Sequence, residues 1–335
     1  RRAGLTSGID AGRFLPVGAI DAGEKPSVVT AMMKASSTEA MRQVLDAAMD
    51  VVGGAGICRG SRNVLSSAYQ SVPIGITVEG ANILTRTMIV FGQGAIRCHP
   101  WVQAELQAAA ARDAAAFDKA FFGHVNFVFT NLGRSVLHGL TGAAFTPVPV
   151  GGRTGRYLKR LTRLSASFAL LADAAMGTLG GSLKRKENIT GRLADALAWQ
   201  YLASATLKRF VDDGRPERDL PAMRWAVEHA LYEIERALVG TLDNLPNRPA
   251  AWLLRRAVFP LGARAKPPSD KLGAKVARGI LEGGELREAL ARDIYLPPAD
   301  EPGLGALEAA LRAVLAAAPA RDKIRAAQRS KKLPR

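Results

Sequence analysis

The chain has 335 residues, 48% of them hydrophobic, 23% charged and 6% aromatic, with a formal net charge of +16. That length allows two domains, and the balance of apolar and charged residues excludes a globally disordered chain. The basic excess asks for an anionic partner such as a phosphate-rich ligand, anionic lipid or nucleic acid. The last lacks any zinc-finger, RNP-type or aromatic-and-basic pattern to support it.

Alanine, leucine and arginine recur throughout, which favours helices over strands. Residues 1–23 are glycine-rich and give no clear element. From Lys25, "KPSVVTAMMKASSTEAMRQVLDAAMDVV" predicts one long helix with Pro26 in its first turn and Val29, Met32, Met33, Met41, Val44, Leu45 and Ala48 at three-to-four spacing. "GGAG" (Gly53 to Gly56) stops it, and a shorter helix is expected around Ser61 to Gln70. After Pro73 and Gly75, "ANILTRTMIVFGQGAIR" reads as a helix weakened by Gly92 and Gly94. Further helices are expected near 101–118, 119–141, 156–183, 188–213, 219–243, 249–259, 270–292 and 304–318. Loops fall at Phe145 to Gly155, Ala263 to Ser269 and Tyr295 to Gly303, where glycines or closely spaced prolines interrupt the pattern. Sustained period-two alternation is absent, so the fold class expected is all-α.

Cys58 and Cys98 stand in dissimilar settings, which argues against a disulfide framework or a cysteine zinc site and fits a reducing compartment. No transmembrane helix is expected: the best apolar run, Ala166 to Leu183, is broken by Asp173 and three glycines. The N-terminus shows no signal-peptide pattern, and Arg1 in place of a methionine points to a piece of a longer protein. The tail from Arg321 to Arg335 is strongly basic, either a solvated terminus or a contact for anionic lipid.

"VPIGITVEGANILTR" (Val72 to Arg86) holds a single acid, Glu79, in an otherwise apolar and uncharged stretch. Two readings are open from the residues alone: a turn glutamate reaching solvent, or a base kept basic by desolvation among Ile76, Val78, Ala81 and Ile83.

The pair "MDVVGGAGICRG" (Met49 to Gly60) and "ITVEGANILTRTMIVFGQGAIRCHP" (Ile76 to Pro100) resembles the acyl-CoA dehydrogenase family, in which a "GGxG" turn is followed by an "EG" segment. The separation from Gly56 to Glu79, 79 − 56 = 23 residues, aligns without a gap. "EKPSVV", "LGGSLKRKE" (Leu179 to Glu187), "YLASATLKR" (Tyr201 to Arg209) and "LLRRAVFPLG" (Leu253 to Gly262) narrow the likeness to the bacterial long-chain enzymes of fatty-acid degradation. It runs from about Asp21 to near Leu315.

The resemblance implies a C-terminal helical-bundle domain at 1–118, shortened at its start, and a branch-specific helical domain with a basic tail at 119–335. It implies FAD-dependent α,β-dehydrogenation of a fatty acyl-CoA. Glu79 matches the catalytic base, and its backbone N–H a donor to the thioester carbonyl; Gly80 lets backbone and substrate approach closely. Gly53, Gly54 and Gly56 match the turn that packs on the FAD diphosphate of a neighbouring subunit, with a plain helix C-cap as the alternative. Asp50 stands where relatives often have glutamine, and Ala81 and Ile83 where they have threonine and glutamine, so those side-chain contacts do not carry over. Arg86 is expected to be a structural ion-pair partner. His99, Cys98, His124 and His138 are read as packing residues, with no metal site. "LKRKE" (Leu183 to Glu187) is read as a solvated helix boundary.

The relatives' N-terminal helical and middle β domains precede this segment and have no counterpart here, so the isolated chain is not expected to hold stoichiometric FAD. The partners implied are fatty acyl-CoA, a homo-oligomer and an electron-transferring flavoprotein. The location implied is cytoplasmic, with peripheral contact at the inner membrane allowed and no nucleic acid. The alternative is a non-catalytic basic helical module for oligomerisation or membrane-surface association.

Overall fold

Three glycines four residues apart, Gly4, Gly8 and Gly12, explain how the chain begins. In the computed structural model, which describes residues 2–60, 63–330 and 332, they lie on one face of helix α1 (Arg2–Asp21). A Cβ at Gly4 would sit 2.1 Å from the Trp225 ring, and one at Gly12 would sit 2.7 Å from Leu202 Cδ2. The glycine-rich start is therefore a helix pressed closely against its neighbours, where composition alone suggested no element. Tyr201 donates a 2.7 Å hydrogen bond to the carbonyl of Gly12 and ties the contact.

Every regular element among the described residues is helical, as expected. α2 (Ser27–Val52) is the expected long helix, with Pro26 at its N-cap rather than inside it. It is followed by a 3₁₀ turn at Gly53–Gly56, α3 (Ser66–Ser71) and α4 (Ile74–Thr77). The expected start of the second helix at Ser61 and Arg62 lies outside the described residues, as do Lys331 and the last three residues of the basic tail. α5 (Asn82–Leu84) continues through a π-helical stretch (Thr85–Gln93) into α6 (Gly94–Arg97).

The next two helices divide earlier than predicted. α7 (Val102–Ala111) ends at Arg112, whose φ of 53° is left-handed, and Asp113 Oδ1 accepts from the Ala116 N–H at 3.0 Å to start α8 (Ala114–Thr141). The capping aspartate, rather than Lys119, marks that boundary. α9 (Gly152–Leu179), α10 (Glu187–Asp212), α11 (Leu220–Asn244) and α12 (Arg248–Val258) follow the predicted pattern within a few residues. The segment expected as one helix over 270–292 is two, α13 (Asp270–Leu281) and α14 (Glu285–Ala291). Gly283, with φ 68°, ends the first of them. α15 (Leu304–Arg329) runs past Pro319, where an end was expected. Proline removes one backbone donor, and the strong helix formers on both sides carry the helix across it.

The core is built from α9, α10 and α11. Leu164 and Leu171 of α9, Leu193 and Leu207 of α10, and Leu231, Ile234, Leu238 and Leu242 of α11 are almost fully buried. Val90 and Phe91 of the π-helical stretch and Met32 of α2 join the same cluster, which fixes α2 and the segment after Glu79 against the rest of the molecule. α9 is long and apolar enough to cross a membrane by length and composition, but Leu161, Leu164, Leu170, Leu171 and Ala175 lie in the core. Its apolar face is already covered by protein.

Candidate active site

α2 acts as a beam for both sequence motifs. Lys34, Thr38 and Met41 recur at helical spacing along one face. Lys34 Nζ donates to the Gly80 carbonyl at 2.6 Å and to Asn82 Oδ1 at 2.8 Å. Thr38 Oγ1 and the Asn82 amide are paired at 2.9 Å, and a Cβ at Gly75 would approach Thr38 Cγ2 at 3.3 Å. The loop from Val78 to Asn82 therefore lies on α2 and is held by polar bonds to it.

Within that loop Glu79 adopts φ 54° and Gly80 φ 86°. The left-handed region costs a non-glycine residue about 1–2 kcal/mol, and such strain persists only where the surroundings impose it. Glu79 is exposed, as are Val78, Ile83 and Leu84. The expectation of a water-poor setting for Glu79 is not met within this chain: Glu79 is exposed, and so are its apolar neighbours Val78 and Ile83. Sequence also hid a cation bound to the loop. No basic residue precedes Arg86 in the stretch, yet Lys34 lies directly behind Gly80. Gly80 has an internal reason to be glycine, since its φ is positive and an added Cβ would meet Thr85 Oγ1 at 3.2 Å.

The glycine turn sits at the other end of α2. Gly53, with φ 62° and ψ −137°, caps the helix through its N–H to the Met49 carbonyl. Gly56 is buried, and a Cβ there would lie 3.3 Å from Met49. Gly54 has neither a positive φ nor any atom within 4 Å of a hypothetical Cβ. The fold accounts for Gly53 and Gly56 but not for Gly54. Asn63, which sequence reasoning passed over, fastens the turn. Its Nδ2 donates to the carbonyls of Gly56 and Cys58 at 2.6 and 2.8 Å, and its Oδ1 accepts from the N–H groups of Leu65 and Ser66.

Arg86 is the ion-pair residue it was expected to be. Its Nε and Nη2 donate to the two oxygens of Asp195 on α10 at 2.5 and 2.6 Å, and this hydrogen bonding holds the guanidinium pKa above its ordinary value. Gly191, one turn earlier on α10, leaves the room: a Cβ there would be 2.8 Å from Arg86 Nη1. A cavity of about 550 Å³ opens behind Asn82, Ile83 and Arg86, walled by Met32, Asp195 and Trp199.

The histidines do more than fill space. His99, in the bend before α7, reaches Asp173 of α9 with Nε2 at 3.0 Å, and His124 of α8 reaches the same oxygen at 3.5 Å. His124 Nδ1 lies 2.9 Å from Glu105 of α7. These groups bring three helices together at a buried carboxylate whose two oxygens accept no well-directed hydrogen bond among the described residues, a pattern invisible in sequence because its members are 74 residues apart (173 − 99). By distance, His99, His124 and Asp173 could surround a metal ion. Tautomer chemistry argues otherwise: His99 Nδ1 accepts from the Trp101 and Val102 N–H groups at 3.2 and 3.1 Å, which leaves the proton on Nε2 and makes that atom a donor, not a ligand. His138 stands apart, its pKa lowered by burial and by nearby Arg134.

Two family descriptions cover the chain. Residues 16–93 match "Acyl-CoA dehydrogenase, C-terminal domain", and residues 96–335 match "Acyl-CoA dehydrogenase, C-terminal, bacterial type". The chain belongs to the acyl-CoA dehydrogenase family. Among solved structures it resembles an acyl-CoA dehydrogenase from Bacillus anthracis crystallised with FAD, with a TM-score of 0.60 and 16% identity over 84% of this chain. At that identity the likeness speaks to the helical fold. The match spans 47% of the Bacillus chain, so this chain corresponds to about half of a dehydrogenase of that kind.

Proposed function

We propose that the protein in its full natural form is a flavin-dependent dehydrogenase, converting a fatty acyl-CoA to the trans-2-enoyl-CoA as the first step of β-oxidation. One observation supports the reading most: in a chain of this family, Glu79 is held exposed and left-handed on a loop clamped to α2. Strain of that kind collects where a group must be presented to a ligand.

In this reading the Glu79 carboxylate takes the proton from the α carbon, and its backbone N–H donates to the thioester carbonyl as enolate charge develops. FAD, when bound, accepts the hydride that leaves the β carbon. Gly54 and Gly56 would offer backbone N–H groups to its diphosphate, while Gly53, whose N–H is taken by the Met49 carbonyl, shapes the turn, and the unexplained Gly54 fits a backbone that something outside the chain must approach closely. Gly53 follows Lys34 by 19 residues (53 − 34), roughly 28 Å along α2 at the α-helical rise. The Glu79 loop and the glycine turn of one chain are therefore too far apart to serve the same FAD molecule. That supports a homo-oligomer in which the turn of one subunit serves the neighbour's cofactor. An electron-transferring flavoprotein as acceptor, a cytoplasmic location and a division near residue 118 complete the reading.

The test is spectroscopic. The full natural protein should carry oxidised flavin that bleaches on adding palmitoyl-CoA. Glu79→Gln should keep the flavin and slow the bleaching by about a hundredfold or more. Unchanged bleaching would remove Glu79 as the base.

α15 supports a second, compatible role. It exposes Leu304, Leu307, Val314 and Ile324 together with Arg312, Arg321, Lys323 and Arg325, a surface of mixed apolar and basic side chains whose positive charge suits anionic lipid at the inner membrane. Co-sedimentation with anionic but not neutral vesicles, lost at raised salt, is expected; equal recovery with both would rule it out.

A further inference from the structure

We infer that Lys34 is a positioning residue for Glu79, acting through the Gly80 carbonyl. This rests on the reading of Glu79 as the base and adds to it the group that sets the geometry of its loop.

Packing does little to fix the loop. Val78, Ile83 and Leu84 are exposed, and the cavity of about 550 Å³ lies behind Asn82 and Ile83. What remains is polar: Lys34 Nζ to the Gly80 carbonyl and Asn82 Oδ1, Thr38 to Asn82, and Thr85 Oγ1 to the same Gly80 carbonyl at 3.2 Å. Of these donors only Lys34 is charged, and charge-assisted hydrogen bonds are roughly twice as strong as neutral ones. None of the ion pairs among the described residues includes Lys34, so its ammonium is directed to the loop rather than to a carboxylate.

The clamp orients the peptide that follows Gly80. With that carbonyl drawn inward by two donors, the left-handed Glu79 is turned outward and exposed. Without the ammonium, the loop can relax toward an ordinary backbone conformation, which moves both the carboxylate and the Glu79 N–H. A displacement near 1 Å costs a reaction of this kind on the order of a hundredfold. Lys34 reaches no reacting atom in this arrangement.

The experiment compares Lys34→Met, Lys34→Arg and Glu79→Gln in the full natural protein loaded with FAD. Two readouts are used: flavin bleaching by palmitoyl-CoA, and amide hydrogen exchange over residues 78–85. Lys34→Met is expected to speed exchange in that segment and to lower kcat by about tenfold to a hundredfold, with KM little changed. Lys34→Arg should restore most of both. Wild-type exchange in Lys34→Met, or faster exchange with wild-type kcat, would overturn the inference. If Glu79→Gln bleaches at the wild-type rate, the assignment of the base has failed instead, and hydrogen exchange still decides whether Lys34 holds the loop.

Discussion

The slab of α9, α10 and α11 and the loops carried by α2 are built on opposite rules. In the slab, apolar side chains at helical spacing are buried from both sides, and the buried acid Glu235 accepts from the N–H groups of Arg264 and Ala265 at 2.7 and 2.8 Å. Arg163, facing Glu235 at 3.7 Å, has its pKa lowered chiefly by burial. Along α2, by contrast, the glycine turn and the Glu79 loop are exposed apart from Gly56 and the half-buried Gly80, Ala81 and Asn82, left-handed in places, and fixed by a few hydrogen bonds from Lys34, Thr38 and Asn63. Stability in this molecule resides where the chain is regular, and the candidate chemistry where it is not. A perturbation of each region should therefore have a different signature.

The largest stability effect is expected in the slab. Leu231 is fully buried on α11, and Leu231→Ala removes its transfer energy and leaves a cavity, costing about 3 kcal/mol. Denaturant unfolding monitored by circular dichroism would measure it. A loss below about 1 kcal/mol would mean that the slab is loosely packed and the contrast overstated. The loop variants at Lys34 and Glu79 should change unfolding little by comparison.

How far each region was legible in the sequence follows the same division. α9 to α12 were readable because burial imposes a 3.6-residue period on Leu, Ile and Ala. α1 was not, since Gly4, Gly8 and Gly12 suggest a broken chain until Trp225 and Leu202 are seen against them. The split at Arg112 and Asp113 carried a signal that went unused, an aspartate immediately before the run Ala114 to Ala116. At the site, the glycine turn and Glu79 were found as motifs, but what holds them was not: Lys34 is 46 residues from Gly80 and reads as one charge on a helix. The His99–Asp173–His124 contact was missed for the same reason. Polar groups that meet only through tertiary packing leave no period in the sequence.

The glycine turn offers a finer test, because its glycines are present for different reasons. Gly53→Ala places a Cβ at φ 62° and should lower stability by about 1 kcal/mol. Gly54→Ala meets nothing within 4 Å and should leave the unfolding midpoint unchanged. If a cofactor phosphate approaches that backbone, Gly54→Ala should nonetheless weaken FAD binding to the full natural protein by about tenfold, or 1.4 kcal/mol. Calorimetric titration of the flavin-stripped protein would read this directly, and wild-type affinity would return Gly54 to the status of an ordinary loop residue.

The smallest effect belongs to the seam between α1 and α10. Desolvation pushes the Tyr201 hydroxyl up to about 12, and in the folded chain that hydroxyl donates to the Gly12 carbonyl. The unfolded value is near 10, so the folded state favours the neutral phenol. The stability linked to that proton is complete below pH ~10 and is lost as the pH rises from there to about 12. Tyr201→Phe should cost about 1 kcal/mol at neutral pH. The gap between the two proteins should shrink across the alkaline window, because only the wild type loses stability through this group there. Denaturant midpoints for both proteins from neutral pH upward would show it. A gap that stays constant across that window would mean the α1 contact is carried by Gly4, Gly8 and Gly12 packing on α10 and α11, with the hydroxyl a bystander.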